Sequence, residues 1–247
     1  MAFERLAFPT RFPPTEKLFH ADPLQRTATA VVLHVDREFV VLDRSIFYAE
    51  SGGQEWDEGT MSGIKVVDVQ DQSGRPLFVR GTRVPLPTVN VETVIVHRLE
   101  RPAPFQLGDV VELGLDWGRR FQNMRQHSAC HFMFHAIQQT YGCGEPIQVK
   151  GCHIHPLGAR LDFYGELDGF LLPEAEALAN NLIAANGIIR MEPEPASKEV
   201  FYWEYEGVAP IPCGGTHVTS ASELAPLRLR RSKKGKGITR ITLTMED

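Results

Sequence analysis

Arg119-Arg120-Phe121-Gln122-Asn123-Met124-Arg125-Gln126-His127-Ser128-Ala129-Cys130-His131-Phe132-Met133-Phe134-His135-Ala136-Ile137-Gln138-Gln139-Thr140 is the stretch on which the fold turns. Neither glycine nor proline interrupts it, helix formers dominate, and Tyr141-Gly142 supplies a stop, so it reads as one long helix. Upstream the texture differs. Residues 27–35 and 38–43 are β-branched runs meeting at Asp36-Arg37 as a hairpin. Residues 64–69 alternate through 71–75, with Ser73-Gly74 as turn chemistry, into a strand at 76–79. Residues 88–98 form a longer strand and 109–115 another, with the proline-bearing loop 81–87 at an edge. Short strands separated by glycine and proline predict a small barrel or sandwich. Downstream, residues 159–163 read as a strand and 173–186 as a helix opened by Pro173 and closed by Asn186-Gly187. Ser197 is placed as the cap of a short helix, and residues 226–244 as two final strands around 232–237. The fold class is α+β: an N-terminal small β-barrel domain over residues 1–117, then an α+β domain over residues 118–247.

Composition narrows the class. At 247 residues, 43% hydrophobic and 23% charged, the chain can bury a real core, which excludes a disordered or fibrous protein. The net charge of −5 means that any nucleic-acid contact must come from a local patch. No apolar run approaches the roughly 18 residues of a membrane span. Glu4, Arg5, Arg11, Glu16 and Lys17 break up any apolar export signal. Four cysteines are too few for a disulfide scaffold and are expected to be reduced. The expectation is a soluble, cytoplasmic protein with no membrane partner.

Five of the nine histidines fall between residues 127 and 155. His127 and His131, four apart on the helix, stack one above the other on the face that carries Met124 and Phe134. Cys213-Gly214-Gly215-Thr216-His217 follows much later, with two glycines to let a thiolate and an imidazole converge on that pair. Three imidazoles and a thiolate suit tetrahedral Zn²⁺ better than Mg²⁺ or Ca²⁺. Cys130 lies on a more lateral face of the helix, Cys143 and Cys152 read as small buried residues, and His153 and His155 as alternating strand or loop positions. His135 has rotated away from His127 and reads as a supporting residue. A zincin protease is excluded, because Ser128 occupies the place of its glutamate base.

Two further segments carry chemistry. Phe47-Tyr48-Ala49-Glu50-Ser51-Gly52-Gly53-Gln54 runs from a strand into a loop where glycines allow close approach of a ligand and Gln54 offers a donor and an acceptor. From Arg228 to Arg240 stand seven basic residues, Arg228, Arg230, Arg231, Lys233, Lys234, Lys236 and Arg240, and no acid. With Gly235 and Gly237 at its tip, this hairpin can follow a phosphate backbone.

Taken in order, Asp43-x-Ser45-x-Phe47-Tyr48-x-Glu50-x-Gly52-Gly53-Gln54 with Asp57-x-Gly59, Asp116-Trp117-x-Arg119-Arg120, Met124-x-x-His127-Ser128-Ala129-x-His131, Arg160-Leu161-Asp162-Phe163, Cys213-Gly214-Gly215-Thr216-His217-Val218 and Gly235-Lys236-Gly237 resemble the editing domain of alanyl-tRNA synthetase. The likeness is stronger still to its free-standing relatives, the AlaX proteins of medium length, and runs from about Lys17 to Thr244. It implies a zinc-containing editing domain behind the barrel and a trans-editing hydrolase that cuts the ester between a wrong amino acid and tRNA(Ala). The amino acid would be serine, with glycine as a second. By resemblance the metal ligands are His127, His131, Cys213 and His217. Gly52, Gly53 and Gln54 lie near the substrate pocket, and Gln54, Cys130 and Thr216 are candidates to bond the serine hydroxyl. Ser51 stands where the family often has a third glycine, and Cys130 where synthetase editing domains commonly have threonine, which leaves the amino-acid preference open. Four protein ligands would close the ion's coordination, favouring a positioning role with a Lewis-acid contribution. No ATP-binding segment is recognised, so deacylation would be ATP-independent. The partner implied is the tRNA(Ala) 3′ end and acceptor stem; the competing reading is a non-catalytic, zinc-stabilised RNA-binding module.

Overall fold

The computed structural model describes residues 12–72, 74–78, 88–142, 145–195 and 197–246. The loop 81–87, Ser73, Val79, Cys143 and the charged residues before Phe12 lie outside the described residues. The architecture is mixed α/β and rich in sheet.

Six antiparallel strands close into a barrel in the order Val110–Leu115, Thr27–Asp36, Phe39–Leu42, Val94–Leu99, Ile64–Gln72 and Gly59–Met61, the last pairing back to the first. Closure gives each of the six strands a neighbour on both sides. Alternation supplies the filling: Ile64 and Val66 point inward while Lys65 between them is exposed. Val32, Val40, Leu42, Val66, Val69, Ile95, Leu99 and Leu113 form the barrel core. The hairpin expected at Asp36-Arg37 is present, with Arg37 at a φ of 56°. The single strand expected over 88–98 is two strands. Glu92 adopts a φ of 58°, which breaks the run, and Thr88–Val91 pairs outside the barrel with Arg75–Phe78.

The long helix spans Trp117–Tyr141, capped by the Asp116 carboxylate accepting from the Arg119 amide at 3.1 Å. One face covers a four-stranded antiparallel sheet in the order Val149–His155, Gly158–Tyr164, Ile238–Met245 and Leu227–Lys233. The second helix, Leu172–Ala184, packs beside the first, and its Asn180 amide brackets Leu227 through two bonds of 2.8 and 3.0 Å. A three-stranded sheet of Arg190–Glu194, Ser197–Tyr205 and Val208–Pro212 completes this part around the fully buried Trp203. Ser197 therefore opens a strand and caps no helix, because the segment after it finds ladder partners on both sides.

The barrel and the helix-bearing part meet through main chain. Ile154 donates to the Gly53 carbonyl at 2.7 Å and accepts from Glu55 at 3.0 Å, a parallel bridge that stitches the Gly-Gly-Gln loop to the sheet. Beneath it Arg120 and Asp57, both fully buried, form a charge pair with two contacts of 2.9 and 3.1 Å from Nε. The same guanidinium donates to the carbonyls of Ile46 at 2.6 Å and Pro23 at 3.1 Å, and Asp57 accepts from the Tyr48 amide at 2.7 Å.

Candidate metal centre

His127 and His131 leave the helix one turn apart, with ring centroids 5.0 Å from each other. The segment after Val208–Pro212 brings Cys213 and His217 against them. One donor atom from each of the four residues falls within 4.8 Å of the other three. The His217 ring lies 4.2 Å from His127 and 4.9 Å from His131, centroid to centroid. The four side chains gathered from distant sequence thus share one place.

Hydrogen bonds outside the cluster set the tautomers. His127 Nδ1 donates to Gln54 Oε1 at 2.7 Å, which leaves the Nε2 lone pair aimed at Cys213 Sγ, 3.4 Å away. Gln54 is fixed in turn: its Nε2 donates to Thr216 Oγ1 at 3.0 Å, and its Oε1 also accepts from the Thr216 amide at 3.2 Å. Ser128 Oγ contacts His217 Nδ1 at 3.1 Å and accepts from the Val218 amide at 3.3 Å, turning His217 Nε2 toward the same sulfur at 3.2 Å. His131 Nε2 is buried without a hydrogen-bond partner. A buried imidazole nitrogen costs free energy unless something accepts its lone pair. Three neutral imidazole nitrogens and one thiol, each oriented by a neighbour or left unpaired, form a donor set that fits Zn²⁺.

Burial drives the titration of these groups. It lowers the His127 pKa from 6.5 to about 3 and holds His131 and His217 well below their ordinary value, with neighbouring imidazoles adding to the effect. All three are neutral, ligand-ready imidazoles at pH 7. Burial pushes the Cys213 thiol up to about 12 against the pull of the Gly215 amide. A cation entering here must therefore displace that proton.

Glycine is required at Gly215. A Cβ there would stand 2.2 Å from His127 Cε1 and 2.9 Å from Gln54 Oε1, whereas one on Gly214 would meet nothing within 4 Å. Steric demand thus rests on Gly215 alone of the two glycines. At Gly53, with a φ of +87°, a Cβ would fall 2.8 Å from Cys152 Cβ.

The cluster lies at one side of a cavity of about 480 Å³, walled by Gly52, Gly53, Cys130, Cys152, Tyr48 and Phe134. Gln54 bonds both Thr216 and His127 behind that wall; Gln54 and Thr216 are fully or almost fully buried, and neither lines the cavity. In this arrangement Gln54 positions the first histidine and Thr216 fixes Gln54. Cys152, expected to be an ordinary buried residue, is half-buried and faces the cavity. His135 is half-buried on the helix, and His153 bonds Glu55 at 3.1 Å.

Sequence reasoning passed over His20, whose Nε2 donates to the Gly214 carbonyl at 3.2 Å and whose pKa burial lowers to about 4. It also missed Ser128 as the partner of His217. A hydroxyl one residue past His127 was the available signal.

The basic hairpin is more neutralised than its sequence suggests. Arg228 pairs with Glu176 and Glu246, Lys233 with Glu166 at 3.8 Å, Arg240 with Asp162 at 2.6 Å, and Arg231 donates to the Leu167 carbonyl. The acids come from other elements. Arg230, Lys234 and Lys236 remain without an ion pair among the described residues.

Fold and site together define an α+β protein whose buried imidazole–thiol centre opens onto a cavity beside a β-barrel. Residues 15–118 match the family described as tRNA synthetases class II (A). The chain is 29% identical over 235 residues to the alanyl-tRNA editing protein AlaX-M of Pyrococcus horikoshii, covering 94% of this chain and 98% of that protein. It is 32% identical over 250 residues to the alanine–tRNA ligase of Pyrococcus furiosus and 30% over 255 residues to that of Ignicoccus hospitalis, covering 93% of this chain and 26% of each ligase. It thus spans about a quarter of those ligases and nearly the whole of AlaX-M. The chain is thus similar to an AlaX-type editing protein over nearly the whole length of both. No helix among the described residues is long and apolar enough to cross a membrane.

Proposed function

We propose that this chain is an alanyl-tRNA editing hydrolase that acts in trans on mischarged tRNA(Ala) in the cytoplasm, removing serine first and glycine second. The observation that carries the reading is the convergence of His127, His131, Cys213 and His217 on one side of a cavity walled by Gly52 and Gly53. The chain's match to AlaX-M over nearly that protein's full length supports it. The barrel over residues 1–117 and the metal-bearing part over 118–247 act as two domains in this reading, supported by their separate hydrophobic cores.

His127, His131, Cys213 and His217 would hold Zn²⁺, which when bound supplies positive charge to polarise an ester carbonyl and a fixed point against which to place it. The chain's own residues do the rest. Gln54 and Ser128 hold two imidazoles with Nε2 toward the ion, so the centre is pre-set before substrate arrives. Gly52 and Gly53 let the loop's backbone line the cavity without side chains in the way. Water adds to the ester carbonyl and the ribose oxygen leaves with a proton, a step that an activated aminoacyl ester makes easy to promote. Cys130, one of the thiols in the wall, would bond a serine hydroxyl. Alanine lacks that group and would leave a buried polar partner unpaired, the basis on which a second sieve spares the correct product.

The test is incubation of the zinc-loaded chain with tRNA(Ala) carrying serine, glycine or alanine. An editing enzyme empties the first two and leaves the third. A non-catalytic RNA-binding module would protect all three esters, and that result would overturn the proposal.

A further inference from the structure

The lip of the cavity toward the four-stranded sheet carries a feature that hydrolysis leaves unused. The strand Val149–His155 pairs Val149 with Phe163 and Gly151 with Asp162, so Lys150 is an extra residue with no partner in the ladder. A bulge of this kind re-aims one side chain. Lys150 lines the cavity, and its Nζ stands 6.0 Å from the Tyr164 ring centroid. Tyr164 ends the next strand and is 51% exposed, an uncommon place for a large ring in the absence of a partner.

The hairpin tip is fastened beside it. Tyr164 pairs with Ile238, and the Gly165 amide donates to the Gly237 carbonyl at 2.8 Å. The exposed Lys234 and Lys236 are thereby brought to the same end of the sheet as Lys150. The row Val149, Phe163, Thr239, Lys233 crosses three strand spacings from cavity to tip. That is about 14 Å, room for about four stacked nucleotides. The nearby acids are engaged: Asp162 lies between Arg160 and Arg240, and Glu166 faces Lys233.

We propose that Lys150, Tyr164 and the hairpin tip form a track for a single-stranded RNA 3′ end leading into the cavity. A base stacks on the Tyr164 ring while phosphates run past Lys150, Lys234 and Lys236. The choice of RNA rests on the editing reading, while the track itself is a binding claim that can be tested apart from hydrolysis.

The full-length chain is titrated, by fluorescence anisotropy, into a labelled RNA oligonucleotide ending in ACCA and into the same sequence as a blunt duplex. Tyr164→Ala is expected to weaken single-strand binding roughly tenfold and Tyr164→Phe to restore it. Lys150→Ala lowers the slope of log affinity against log salt by about 0.7, one phosphate's share. Lys65→Ala, on a barrel strand, leaves both unchanged. With Ser-tRNA(Ala), Tyr164→Ala raises KM while kcat stays within about twofold. The track is overturned if the blunt duplex binds as well as the single strand, or if Tyr164→Ala and Lys150→Ala leave affinity and KM at wild-type values. Wild-type chain that binds the oligonucleotide yet cleaves no Ser-tRNA would sink the editing reading and leave the track standing.

Discussion

Substituting the two adjacent glycines of the second ligand segment separates a steric requirement from a sequence habit. An alanine Cβ at position 215 would lie 2.2 Å from His127 Cε1 and 2.5 Å from Nδ1. Ordinary carbon contacts lie at about 3.5 Å, so something must move by about 1.3 Å. The imidazole cannot give way cheaply. It is buried, fixed to a helix and bonded to Gln54, whose own Oε1 would be only 2.9 Å from the new methyl. Overpacking of this size costs about 1–3 kcal/mol. In a chain of this length that lowers the melting temperature by about 2–12 °C. Turning His127 away also costs zinc affinity about 10- to 100-fold. Gly214→Ala meets open space and has no left-handed backbone to relieve, so it is expected to be neutral or to stabilise by up to about 1 kcal/mol. Thermal melts of the metal-free proteins and competition for zinc against a fluorescent chelator measure both quantities. Gly215→Ala that melts and binds zinc like the wild type would refute the packing argument, as would equal damage from Gly214→Ala.

Three other perturbations read separate parts of the structure. Gln54→Ala removes the acceptor for His127 Nδ1 and is expected to lower zinc affinity about 10- to 100-fold, whereas Gln54→Glu keeps an acceptor and most of the affinity; the chelator competition distinguishes them. Arg120→Met strands the buried Asp57 carboxylate and should cost about 3–5 kcal/mol in urea unfolding. Adding Asp57→Asn, which retains an oxygen for the Tyr48 amide, should recover much of that loss, and a double variant no more stable than the single one would count against a buried-charge origin. His97, buried between Ser45 and the Val40 carbonyl, has its pKa lowered by burial from 6.5 to about 4. The unfolded chain therefore takes up this proton first. The stability is fully present above pH 6.5 and falls progressively toward pH 4, by up to about 3 kcal/mol. His97→Gln should flatten that part of the stability–pH curve, as followed by urea melts across the same range.

The parts of the site that could be read from sequence were those whose chemistry is local. His127 and His131 share a helix face by spacing alone, and Cys213 with His217 announce a second half of the same donor set. What sequence could not supply was the partner of each polar group. Gln54 looked like a substrate contact because its amide is versatile. Its place is decided by the bridge to Ile154, which drives the side chain behind the cavity wall against His127. The hairpin looked uncompensated because Glu176, Asp162, Glu166 and Glu246 approach it from other elements. The break at Glu92 belongs to the same class: its amide is taken by the Glu199 carboxylate at 2.9 Å, 107 positions away. Ser197 read as a helix cap by type, yet strand pairing across two neighbours outweighed that local preference.

The bridge between Gly53 and Ile154 bears on how this chain can be cut. A fragment starting at the long helix would bare the edge of Val149–His155, with Ile154 losing both main-chain partners from the loop. It would also deprive His127 Nδ1 of its acceptor, Gln54 Oε1. An exposed edge of that kind recruits other strands. A truncated product would thus be prone to self-association and hold its ion less firmly, even with every ligand still encoded.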